Sequence, residues 1–260
     1  MGHTRLATLP DTAPWRRVVS LIADDGDAGA VARATTQAAL KGFEIAQGDS
    51  GLAAATLLLT NVVLAARQPD FAHALADAGI QVAGAPDVFD VIGGFSDALD
   101  YRLFKAGGRT DLGEMAQLAA VESLAHLLGQ RSASLYGTAP ADVCRAAQEL
   151  STQGGFATLA HEFFSRLTQR FLTYHLGREL SNHVGGNGRF ADLTEHTEFV
   201  RQMEVHCRET AAIVRDFAGG WYSKSNFLGG VTPAKARGFV SHALTKLRAE
   251  LERRGGRDGQ

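Results

Sequence analysis

Histidine and glutamate side chains recur one helical turn apart in the C-terminal half of the chain. His175, Glu179 and His183 stand at i, i+4 and i+8, and His206 precedes Glu209 by three positions. On a helix these residues share a face, which is the geometry that helical bundles use to hold zinc or a di-iron pair. One hypothesis is therefore a metal-dependent helical enzyme with zinc or iron bound at this His/Glu cluster.

The spacing of these residues departs from established metal motifs. Di-iron bundles use Glu-x-x-His, whereas Glu179 to His183 is one residue too long and His206 to Glu209 has the reverse order. The sequence also contains no His-Glu-x-x-His motif. We therefore expect no cofactor, and we interpret these side chains as a structural hydrogen-bonded network, with surface exposure as a further alternative.

A second polar cluster is predicted where two long helical segments meet. Segments 156–184 and 193–218 are joined by a short glycine-rich turn, which predicts an antiparallel hairpin. Arg178 continues the aromatic stripe of the first segment and needs an acidic partner there, because a buried unpaired charge costs several kcal/mol. The predicted buried polar network comprises Arg178, Glu195, Glu198, Gln202 and His206.

Residues 216–231 form the least generic stretch of the sequence. Paired glycines on both sides release the chain from helical structure, and between them lie Trp221, Tyr222 and Lys224. Because Trp and Tyr offer a large contact area at low entropic cost, this stretch is predicted to be a recognition loop. The alternative interpretation is that Trp221 and Phe227 fill the core between the last two helices.

Charge is distributed unevenly along the 260 residues. The net charge is −2, yet residues 221–260 carry +5 and residues 1–220 therefore carry −7. A basic segment on an acidic body contacts an acidic partner or folds back on its own body. Nucleic acid is thus an alternative ligand for region 221–257. The predicted partner-binding surface comprises Trp221, Tyr222, Lys224, Arg237 and Arg248.

Helical periodicity extends over almost the whole chain, and no long alternation of Val, Ile, Thr and aromatic residues indicates a strand. The predicted fold class is all-α: a bundle of about nine to ten helices with a C-terminal antiparallel hairpin and a terminal helix. The predicted helices are 13–24, 28–46, 51–67, 69–79, 86–105, 111–131, 139–152, 156–184, 193–218 and 233–253.

Three regions are predicted along the chain. Residues 1–150 form an Ala-rich N-terminal helical layer, residues 151–254 form the hairpin and terminal helix on the same continuous core, and residues 255–260 form a flexible tail. The apolar run Leu52–Ala66 has 15 residues, fewer than the roughly 20 that span a bilayer. It is predicted to be a buried core helix, so no membrane contact is expected.

Composition excludes several classes of protein. Two cysteines are too few for a disulfide framework, and the N-terminus lacks a secretory signal pattern, so a cytoplasmic location is expected. The sequence contains neither a Gly-x-Ser-x-Gly elbow nor a phosphate-binding glycine loop. The preferred hypothesis is a non-catalytic helical binding or scaffold protein in a larger cytoplasmic assembly, whose partners are other protein subunits or further copies of itself.

Overall fold

Eleven α-helices account for the regular structure of the residues that the computed structural model describes, which are 9–133, 139–186 and 188–254. The predicted all-α bundle is confirmed, with slightly more helices than expected. The helices are α1 (Ala13–Ala23), α2 (Ala28–Ala38), α3 (Leu40–Gln47), α4 (Ser50–Ala65), α5 (Phe71–Asp77), α6 (Val88–Lys105), α7 (Asp111–Ser132), α8 (Pro140–Leu150), α9 (Gln153–Asn182), α10 (Leu193–Phe227) and α11 (Pro233–Arg254).

The additional helix arises from a break inside the predicted segment 28–46. Ala39 leaves helical geometry (φ −90°, ψ 16°) and separates α2 from α3. The hydroxyls of Thr35 and Thr36, just before the break, donate hydrogen bonds to the carbonyls of Val31 and Ala32. Ala39 therefore divides the segment, and the prediction of one continuous helix over 28–46 is wrong.

Helix α4 lies at the centre of the core, as predicted for the apolar run Leu52–Ala66. It packs against α6, α7, α8 and α11, and most of its side chains are fully buried. At its start, the buried Asp49 carboxylate accepts hydrogen bonds from the Leu52 amide (2.8 Å) and from the Thr110 hydroxyl (2.7 Å). Asp49 therefore caps α4 and ties it to the start of α7. One contiguous hydrophobic cluster runs from Trp15 to Leu251.

No individual helix in the described part of the chain has both the length and the apolar composition of a bilayer span. Helices α3 and α4 meet those criteria only when taken together, and they are bent by 55° at the break between them.

The predicted hairpin of α9 and α10 is present, and its turn is closed by backbone hydrogen bonds. The Gly185 amide donates to the Phe190 carbonyl (2.8 Å) and the Phe190 amide donates to the His183 carbonyl (3.0 Å). Gly185 and Gly186 both have positive φ (76° and 59°), a conformation that glycine adopts without strain. The two helices then pack along their length as antiparallel neighbours.

Helix α10 ends nine residues later than predicted, at Phe227, and continues without interruption through Gly219 and Gly220. The prediction that this glycine pair releases the chain into a loop is therefore wrong. Ala218 and Tyr222 are fully buried on either side of the pair, so their packing outweighs the low helix propensity of glycine. The second pair, Gly229 and Gly230, has positive φ and does separate α10 from α11.

Candidate functional site

The predicted buried network is not buried. Arg178, Glu195, Glu198 and Gln202 are all exposed, and only His206 of the five lies inside the protein. The Glu198 carboxylate accepts hydrogen bonds from Arg201 on its own helix (2.6 Å) and from Gln202 (3.1 Å), and the Arg201 bond lowers its pKa to about 2. The predicted pairing of Arg178 with these groups stays a prediction.

A different guanidinium, that of Arg189, is enclosed at the hairpin. Its side chain is 11% exposed and lies 4.4 Å from the centre of the Phe199 ring, and its nearest acid is Asp25 at 3.8 Å. Burial lowers the pKa of Arg189, although Asp25 partly opposes the shift. The aromatic stripe of the sequence predicted the enclosed charge on α9, whereas in the structure Arg189 lies in the turn. The adjoining Phe190, an aromatic residue in a glycine-rich turn, was the signal in the sequence.

The predicted metal ligands do not converge. The rings of Trp15, Phe171 and Tyr174 surround His175, each centred 5.0–5.1 Å from the imidazole, whereas Glu209 forms an ion pair with Arg254 (2.9 Å). Within residues 9–133, 139–186 and 188–254, no three His, Cys, Asp or Glu side chains are placed to hold a metal ion. The other three predicted ligands have surroundings of their own: His183 and Glu179 hydrogen-bond each other (3.2 Å), and His206 is buried on α10.

The aromatic surroundings of His175 predict a pH dependence of stability. Burial lowers the pKa of His175 from 6.5 to about 4. Above pH 6.5 the imidazole is neutral in both the folded and the unfolded state. As the pH falls from 6.5 toward 4, protonation of the unfolded state favours unfolding. Urea denaturation measures the free energy of unfolding at about pH 7 and at about pH 4.5. Between these two values, His175→Phe should lose about 2 kcal/mol less stability than the wild type. An equal loss in both proteins would contradict this placement.

The matched control for that experiment is His73→Gln. His73 is exposed, and its pKa is raised, first by a backbone hydrogen bond and then by Asp77. A raised folded-state pKa adds stability below the unfolded pKa, and this stability is lost as the pH rises. Removing His73 should therefore leave the acid-induced loss as large as in the wild type, or make it slightly larger.

Most of the predicted partner-binding loop belongs to the core. Tyr222 is 1% exposed and stacks on Phe156 (4.4 Å between ring centres), and the half-buried Trp221 stacks on Phe239 (4.2 Å). The recognition-loop prediction is wrong for both residues, and the alternative of a core plug holds for Trp221. It fails for Phe227, which is 88% exposed.

The basic side of the last helix is largely paired with its own acids. Arg248 forms an ion pair with Glu252 (3.1 Å), and Arg254 bonds Glu250 (2.7 Å). Lys224 and Arg237 are exposed. The net charge of +5 for residues 221–260 already includes these two glutamates, and contact with nucleic acid through 221–257 stays a prediction. The proposed flexible tail, 255–260, lies outside the described residues.

A charged cluster between α7, α9 and α10 was not predicted from the sequence. Glu162, on α9, has a side chain only 3% exposed, and its carboxylate lies 2.6 Å from Arg166, 3.1 Å from Arg208 and 3.9 Å from His126. Glu122 of α7 pairs with Arg166 (3.9 Å) and with Arg170, also of α9. We call these six side chains the Glu162 cluster.

The Glu162 cluster joins three helices. Because an isolated buried carboxylate is strongly unfavourable, Glu162 depends on Arg166 of its own helix and on Arg208 of α10. The neighbouring His161 ring bonds the Arg208 carbonyl (2.9 Å), and burial, followed by Arg215 and Arg208, lowers its pKa. The sequence signal was the Glu-x-x-x-Arg spacing of Glu162 and Arg166 inside an otherwise aromatic stripe.

The other unpredicted feature is an aromatic surface on α6. Phe89 is 82% exposed, Phe104 77% and Tyr101 63%, and all three rings lie on one side of the helix. Between them, Gly93 and Asp97 continue the same side. We call these five residues the α6 aromatic face. Phe89 lies about 18 Å from Tyr101 along the helix. Large rings exposed on one side of a helix are typical of interaction surfaces, whereas single scattered ones are not.

The fold determines which side of α6 faces outward. A Cβ atom built on Gly94 would lie 2.3 Å from the Gln81 carbonyl oxygen, so α6 contacts the preceding segment through this glycine. The next residue, Phe95, is fully buried. A Cβ atom on the neighbouring Gly93 meets no other atom within 4 Å. Two adjacent glycines thus mark the two sides of the helix, one packed and one open.

Comparison with known proteins gives no relative. No family model, no curated protein and no solved structure matches this chain.

Proposed function

We propose that this protein is a non-catalytic helical binding protein that acts as a subunit of a larger cytoplasmic assembly, and that its contact surface is the α6 aromatic face. The observation that carries this proposal is the exposure of Phe89, Tyr101 and Phe104 together on one helix. Aromatic residues are the side chains that contribute most binding energy in protein interfaces. This surface replaces the Trp221–Tyr222 region, whose rings pack in the core.

The composition of the face supports a protein partner. Its two ends carry exposed aromatic rings, Phe89 at one end and Tyr101 with Phe104 at the other, whereas Asp97 lies between them and Asp90 and Lys105 lie beside the rings. Protein interfaces are enriched in aromatic residues and surround them with polar groups.

The test is recovery of the native complex from the cells that make this protein. We expect the wild type in a particle of defined stoichiometry, with its subunits identified and its mass measured by native mass spectrometry. Phe89→Ser combined with Phe104→Ser should weaken binding to the purified partner by more than tenfold, because aromatic anchors are hot spots. Phe227→Ser is the matched control, since this ring is equally exposed but lies at the end of α10.

Two results would overturn the proposal. One is recovery of the wild-type chain alone, and the other is equal partner binding by the double variant and the control. Metal analysis of the same purified sample tests the competing hypothesis, since stoichiometric zinc or iron would favour a metal protein.

A further inference from the structure

The exposed charges of α6 change sign along the helix. Asp90 and Asp97 lie in its first two thirds, and Lys105 lies at its end beside Phe104. When two such helices pack antiparallel, the acidic start of one lies next to the basic end of the other. Asp90 and Lys105, which flank the α6 aromatic face, are therefore complementary to each other across a two-fold interface, whereas Asp97 in the middle of the face meets the same residue of the other copy.

We propose that the α6 aromatic face binds a second copy of this chain, with the two α6 helices antiparallel about a two-fold axis close to Asp97. This inference rests on the proposed function, because it names the partner that covers the proposed contact surface.

The spacing of the aromatic residues fits this axis. Phe89 lies eight residues before Asp97 and Phe104 seven residues after it. The axis therefore brings Phe89 of one copy beside Phe104 of the other at both ends of the contact. Gly93 lies four residues before Asp97 and Tyr101 four residues after it. The Tyr101 ring of one copy then covers Gly93 of the other, where the absent side chain leaves room.

The size and charge of the face predict a reversible dimer. Three largely exposed aromatic rings supply roughly 400 Å² per copy, about half of the roughly 800 Å² that each partner contributes to a standard interface. The two Asp97 carboxylates meet at the axis, and this like-charge contact weakens association. The dimer is therefore expected to dissociate on dilution.

Sedimentation of the full chain over about a hundredfold range of concentration tests the self-association. We expect the wild type to pass from monomer to dimer and Phe104→Ser to raise the dissociation constant by more than tenfold. Phe227→Ser, which removes an equally exposed ring elsewhere, should leave it unchanged. A wild type that stays monomeric throughout, or a Phe104→Ser protein that associates as the wild type does, overturns the proposal.

A mixing experiment tests the position of the axis. Asp97→Lys replaces the carboxylate pair by an ammonium pair, so this variant alone should associate no more tightly than the wild type. An equimolar mixture of the two proteins should form a mixed dimer at least tenfold tighter than either homodimer, because Lys at 97 then faces Asp97. A mixture without this gain overturns the two-fold arrangement.

These outcomes separate the partner from the proposed function. If the wild type stays monomeric while the Phe89 and Phe104 substitutions still abolish binding to another purified subunit, the contact surface stands and the second copy is overturned as its occupant. If the substitutions affect neither self-association nor the native complex, both proposals are overturned.

Discussion

Replacing Gly219 by alanine is expected to lower the free energy of unfolding by about 2 kcal/mol. The added Cβ atom would lie 2.6 Å from the Gln153 carbonyl oxygen and 2.8 Å from the Gln153 Cγ. The nearer neighbour is backbone at the start of α9, so the two helices must separate. Overpacking of this kind destabilises the fold by up to about 3 kcal/mol, whereas the higher helix propensity of alanine stabilises it by about 1 kcal/mol. Denaturation in urea measures the difference.

The adjacent glycine provides the control. A Cβ atom on Gly220 meets nothing within 4 Å, and the residue is exposed inside α10. Gly220→Ala should therefore raise the free energy of unfolding by about 1 kcal/mol. The two neighbouring alanine substitutions should thus differ in sign. Destabilisation by both would indicate that α10 does not continue through this pair.

Replacing Glu162 by glutamine is expected to cost about 3 kcal/mol of stability. The substitution keeps the shape of the side chain and removes the charge that Arg166 and Arg208 share. Breaking a buried ion pair leaves a desolvated cation and costs about 3–5 kcal/mol. The lower end applies because Arg208 is 54% exposed and can turn toward solvent. Thermal or urea unfolding of the purified variant measures the loss.

Glu122→Gln is the matched control within the same cluster. Glu122 also pairs with Arg166 and with Arg170, but its side chain is 46% exposed. Exposed ion pairs contribute less than about 1 kcal/mol, because solvent screens the attraction. A loss at Glu122 as large as that at Glu162 would show that burial is not what distinguishes the two carboxylates.

The candidate site was only partly predictable. The expectation that a buried charge has a partner holds at Glu162, whose carboxylate pairs with Arg166 and Arg208. The projection of one helix assigned the enclosed charge to Arg178, which is exposed, whereas the Arg189 side chain is only 11% exposed. The residues around Glu162 come from three helices, and no local spacing links α7 to α10. Arg166 could therefore be recognised as a partner of Glu162 from the sequence, whereas Arg208 and His126 become its partners only when the helices pack.

The exposure of the aromatic rings on α6 could not be predicted from the sequence, for a similar reason. Burial of large aromatic residues is the usual expectation, and the sequence shows apolar residues on both sides of α6. The contact of Gly94 with the Gln81 carbonyl and the burial of Phe95, Leu99 and Leu103 place that side of α6 inward, which leaves Phe89 on the outside. Conversely, Trp221 and Tyr222 were predicted to be accessible to a partner because paired glycines suggested a loop. Tertiary packing instead keeps that stretch helical.

The sequence by itself determined the helical class, the central buried helix α4 and the α9–α10 hairpin, because periodicity, apolar length and turn composition act between residues close in the chain. The tertiary structure decided which glycines end helices, which charges are enclosed and which aromatic rings reach solvent. Each of those outcomes depends on contacts between distant segments, whose packing free energy exceeds the preference of about 1 kcal/mol that a single residue carries locally.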